Sequence, residues 1–161
     1  MADRRASATT RLPIPAERAW DLVTDVRNHA RWIPFTRIDA PHPLRVGDTF
    51  SAATGPAGSL HRLALVDRME VTATTPPTTE PPSPGRATYR KLGPVLLGGA
   101  EVLVEPDGPD ACTVTWVEDI HLRGVPRWAV AWVSRPLATL MVAGALRKVR
   151  AEVAAAARSR R

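Results

Sequence analysis

The segment CTVTWVEDIHL, Cys112–Leu122, decides how the chain is read. Alternate residues of a β-strand point to opposite faces. Cys112, Val114, Trp116, Glu118, Ile120 and Leu122 make one set; Thr113, Thr115, Val117, Asp119 and His121 make the other. The first set is the more apolar, so it is expected to face the interior. That puts Glu118 on the core face between Trp116 and Ile120 and assigns Asp119 and His121 to a solvated face.

Beyond this strand the chain reads as helix. Val142, Leu146, Val149 and Val153 share one face, while Leu137, Leu140 and Met141 fall on the other side. The first half is therefore apolar nearly all round and must face two things: a lid, a ligand pocket or a partner. Proline removes a helical N–H and clashes with the preceding turn. Pro136 thus predicts a split into a short helix or lid at Arg127–Ser134 and a long helix from Pro136 to about Ala157. Trp128 and Trp132, between Arg127 and Arg135, are expected to form a lid, with weak contact to a membrane surface as the alternative. The run is not a membrane span, because its charges leave no apolar stretch near the roughly 20 residues a span needs.

Upstream, Ser7–Ile14 reads as a first strand. A helix opening at Pro15 comes next, with Ala19, Leu22, Val23 and Val26 at helical spacing, then a short helix over Asn28–Phe35 with Asn28 as its N-cap. Strand patterns begin at Val46, in VGDTFSAATG, HRLALVDRMEVTATTPP from His61, RATYRKLG and GGAEVLVEPDG. Short turns between them favour an antiparallel meander. Residues 76–85 hold five prolines and read as a mobile or polyproline-like loop.

The 161 residues, 44% of them apolar, fit one domain with a real core. The expected organisation is a disordered arm over 1–6, one domain over 7–157 and a basic tail over 158–161. Of the net charge of +6, the arginines at 4, 5, 158, 160 and 161, offset by Asp3, carry +4 in the tails. With few aromatics on which bases could stack, nucleic-acid binding is not expected. The single cysteine, Cys112, excludes an internal disulfide. His29, His42, His61 and His121 show no metal-ligand spacing, so neither metal nor cofactor is expected. No signal-peptide core succeeds the first arginines, and a cytoplasmic location is the reading. Nothing in the pattern specifies an oligomeric state.

Several stretches carry a resemblance. PAERAWDLVTDVRNHARWIPF resembles the opening of the START-like (helix-grip, SRPBCC) superfamily. LRVGDTF, VDRMEV, KLGPVLLGGAEVLVEPDG and VTWVEDI resemble its bacterial polyketide cyclase/dehydrase-like branch. The likeness runs over roughly residues 7–157. It implies an α+β fold: a curved antiparallel sheet of six or seven strands wrapped around a long C-terminal helix, with two short helices after the first strand. It also implies a cavity for a hydrophobic small molecule such as a lipid, sterol or polyketide. It supplies no fixed catalytic motif.

Candidate site residues come from the alternation. Leu63, Leu65, Asp67, Met69 and Val71 share the apolar face of the long strand, so Asp67 is a second inward carboxylate, either in the pocket or paired with an arginine or backbone amide. Tyr89, with Ala87 on its face, is a polar handle for a ligand or an edge tyrosine bonded to backbone. Trp116 lines the cavity or fills the core, and Trp32 borders the pocket mouth or packs its helix on the sheet. Met69, Leu140 and Met141 complete the expected lining. The leading function is hydrophobic ligand binding. One alternative is a cyclase, aromatase or dehydratase using Glu118 as general acid/base without metal, which fails if Glu118 points to solvent or is locked in an ion pair. The other is membrane-peripheral lipid transfer, using the tryptophan lid and the basic tail.

Overall fold

The strands alternate over long runs, and this builds the sheet that organises the molecule. The computed structural model describes residues 5–56 and 64–159, and of residues 127–131 and 133 the backbone. A seven-stranded antiparallel sheet has the order β1 (Ala6–Leu12), β9 (Cys112–Leu122), β8 (Leu96–Pro106), β7 (Gly85–Gly93), β4 (Leu65–Thr75), β3 (Thr49–Thr54), β2 (Thr36–Asp39). Between β1 and β2 come α1 (Ala16–Thr24), a 3-10 turn (Val26–Asn28) and α2 (His29–Trp32). The chain ends in α3 (Arg127–Arg158). This is the helix-grip arrangement.

The registers fix one inner face. β9 buries Cys112, Val114, Trp116 and Glu118, and β7 buries Ala87, Tyr89 and Lys91. α1 buries Ala16, Ala19, Trp20 and Val23, one helical stripe. α3 buries Ala138, Val142, Ala145, Leu146, Val149 and Val153. Among the described residues it approaches β1 and β9 closely, and β3, β4 and β7 not to a comparable extent.

Several expectations change. α3 runs through Pro136 without a break. The proline ring is exposed, so the carbonyl of Trp132 that loses its partner can face water, and the interruption costs little there. β1 starts at Ala6, which is buried opposite Glu118 and so lies inside the domain, not in an arm. Residues 78–83 pair as a small hairpin, β5 (Thr78–Thr79) with β6 (Pro82–Ser83), in place of an unpaired loop. Asn28 sits at the start of α2 but its side chain donates to Leu22 O, tying down the end of α1. β2 is a strand that the pattern did not reveal, being only four residues long. The expected strand start at His61 lies outside the described residues.

Candidate functional site

Four neighbouring strands bring charged side chains together on the inner face. Asp67 lies on β4, Lys91 on β7 and Glu118 on β9. β7 and β9 are not neighbours; β8 runs between them. Their side chains meet because β8 has almost none there: Gly98 lies opposite Lys91 and Ile120, and Ala100 opposite Tyr89 and Glu118. Gly98 has φ +118°, and a Cβ on it would fall 2.0 Å from the Asp119 carbonyl oxygen, so only glycine fits.

The Lys91 ammonium hydrogen-bonds to Asp67 Oδ2 and lies 3.2 Å from Glu118 Oε2, the latter off hydrogen-bond alignment. Lys91 and Glu118 are each only 4% exposed. Trp116 Nε1 donates to Glu118 Oε1 at 3.1 Å, and Met69 Sδ lies 3.8 Å from Lys91 Nζ. Asp67 Oδ1 and Glu118 Oε2 are buried without a hydrogen bond. Buried charges need partners, and here two carboxylates share one ammonium. Burial pushes the Glu118 carboxyl up, and Asp67 adds to this against the pull of Lys91. Burial acts to lower Lys91, but Glu118 and Asp67 more than offset it and hold the ammonium charged.

The other candidates separate into three positions. Tyr89 is on the inner face, edge-on to Phe50 at 5.8 Å, and burial raises its hydroxyl to about 12, so it stays protonated. Trp116 is buried against His29 at 4.6 Å and orients Glu118. Trp32, expected to border a pocket mouth or to pack its helix, is 2% exposed and donates to Glu152 Oε2 at 2.9 Å, so it ties α2 to α3. Met141 packs against the core, whereas Leu140 is 67% exposed and lies outside it. Asp119 and His121 are half-buried, not fully solvated, and His121 Nδ1 is buried without a partner. Trp132 is 76% exposed; the Trp128 side chain lies outside the described residues.

Lys91 is the residue the sequence reading missed. The signal was present, because the step from Ala87 to Tyr89 on one face reaches Lys91 next. Among the described residues no three His, Cys, Asp or Glu side chains are grouped to hold a metal. A groove of roughly 640 Å³ lies elsewhere, between the start of α1 and the end of α3, lined by Ile14, Arg18, Asp21, Glu152 and Val153, and contains none of the expected site residues.

The family described as polyketide cyclase / dehydrase and lipid transport matches residues 3–158. No curated protein matches the sequence. A solved structure from Thermus thermophilus aligns with TM-score 0.67 at 15% identity, over 94% of this chain and 98% of that one. A START superfamily protein from Mycobacterium smegmatis aligns with TM-score 0.65 at 14% identity, over 92% and 98%. The Zhui aromatase/cyclase from Streptomyces aligns with TM-score 0.63 at 15% identity, over 92% of each chain. At these identities the likeness is one of fold.

Proposed function

Because the chain belongs to the polyketide cyclase/dehydrase and lipid transport family, we propose that it binds an apolar small molecule against the inner face of β3, β4 and β7. The observation that carries this reading is the Asp67–Lys91–Glu118 cluster, set in an otherwise apolar face beside Phe50, Met69 and Tyr89. A polar cluster inside an apolar wall is how ligand sites fix orientation. Lys91, Glu118, Asp67 and Tyr89 would orient the ligand and Met69 would line its apolar part. Mass spectrometry of the natively purified protein tests this: an apolar adduct at one per chain is expected, and the bare chain mass alone counts against it.

The cyclase alternative with Glu118 as a lone acid/base is disfavoured by the ion pair to Lys91, the condition under which it was expected to fail. A second reading, lipid transfer at a membrane, has one observation in its favour. Among the described residues, Phe35, Leu65, Val66, Val95, Val125 and Trp132 are all exposed and lie at one end of the sheet, where β3 ends and β4 begins. The basic tail cannot share that contact easily, since Trp132 and Arg158 are roughly 39 Å apart along α3. Co-sedimentation with phosphatidylglycerol vesicles at low salt tests it; no binding, or binding unaffected by Trp132→Ser, removes this reading.

No helix among the described residues is long and apolar enough to cross a membrane.

A further inference from the structure

We infer that the Asp67–Lys91–Glu118 cluster selects its apolar ligand by a hydroxyl group and rejects ligands that end in a carboxylate. The inference rests on the inner-face binding reading and deepens it. A lone buried lysine would suit a fatty-acid carboxylate, but Lys91 is not alone. It is engaged by Asp67 on one side and Glu118 on the other. A third carboxylate would bring only acceptors and another negative charge to an ammonium already shared.

What the cluster leaves open is acceptor capacity. Asp67 Oδ1 and Glu118 Oε2 make no hydrogen bond, and the Glu118 side chain is 4% exposed. A buried acceptor left unpaired costs about 1–3 kcal/mol, so a group supplying a donor at this position stabilises the complex. Both side chains come from inner-face positions, on either side of Lys91, so one ligand atom near the ammonium is within reach of both. A hydroxyl is donor and acceptor at once. It can donate to Asp67 Oδ1 or Glu118 Oε2 while its own oxygen accepts from the Lys91 ammonium. The Trp116 N–H on Oε1 leaves Oε2 as the oxygen facing Lys91 and the incoming group. A methyl or aryl carbon satisfies neither oxygen, and a carboxylate opposes both.

Three probes sharing one ring system separate the terms: 2-naphthol, 2-naphthoate and 2-methylnaphthalene, titrated calorimetrically into the full chain at pH 7. Naphthol is expected to bind at least about tenfold more tightly than naphthoate, with methylnaphthalene between them. The naphthol-to-naphthoate ratio should shrink in Asp67→Asn and shrink further in Asp67→Asn/Glu118→Gln. Equal or tighter binding of naphthoate, or a ratio unchanged in Asp67→Asn, overturns the hydroxyl assignment while leaving apolar binding standing. If none of the three binds, the inner-face reading falls and the inference with it.

Discussion

The two ends of the sheet are built on different principles. At one end, Leu12, Val104, Cys112 and Val114 are fully buried, and Val142, Leu146 and Val149 of α3 close over them. At the other, the inner face carries Asp67, Lys91 and Glu118, and the rim exposes Leu65, Val95, Val125 and Trp132. α3 spans both, and its residues record the change: Val142 and Val149 are buried, Leu137 and Leu140 are two-thirds exposed. The first end holds the fold together by excluded water and dense packing. The second gives up that packing for a charged cluster and open apolar surface, the arrangement on which the ligand-binding proposal rests.

Removing the cation should break the second end most severely. Lys91→Met leaves two buried carboxylates facing each other and is expected to cost about 3–5 kcal/mol in chemical denaturation. The triple change Asp67→Asn/Lys91→Met/Glu118→Gln should recover most of it, because no unpaired charge remains. At the packed end, Leu146→Ala should cost about 2–5 kcal/mol, with no effect on the preference between naphthol and naphthoate.

Acid should act on two buried groups, His29 and Glu118, with opposite sign. His29 is buried, hydrogen-bonded to Val23 O at 2.9 Å, and desolvation lowers it from 6.5 to about 4. The unfolded chain therefore binds a proton that the folded one refuses between those values. Stability should fall by up to roughly 3 kcal/mol as the pH drops from 6.5 to 4. Glu118 is raised by burial, so the folded state holds its proton above the ordinary 4.5. Its contribution is greatest in acid and is lost as the pH rises through the raised value. In His29→Gln the acid loss should disappear; in Glu118→Gln the curve should steepen. Identical pH profiles in both variants would remove the distinction. The smallest effect is expected at the rim: Trp132→Ser should change stability by no more than about 0.5 kcal/mol.

Legibility in the sequence divides along the same line. The inward sets of β9 and β7 are strict alternations, so Glu118 and Tyr89 could be placed from single strands. α1 and the second half of α3 show their buried stripes as plainly. The cluster itself was hidden because it depends on register. Lys91 reaches Glu118 only because Gly98 and Ala100 fall between them, and pairing partners are not written in either strand. Pro136 misled because proline cost is local and an exposed helix face can hydrate the lost carbonyl. The tie from Trp32 to Glu152, 120 positions away, is likewise not written in either segment.

An apolar ligand is proposed to occupy the inner face beside the charged cluster. The direct measurement is a titration of the wild-type chain and of Ala100→Trp with neutral N-phenyl-1-naphthylamine, followed by its fluorescence. Ala100 lies between Tyr89 and Glu118, so an indole there fills the proposed site. One saturable site in the wild type, lost in Ala100→Trp while far-UV circular dichroism is unchanged, is the predicted result. No saturable binding in the wild type, or equal binding in a folded Ala100→Trp, would contradict the account.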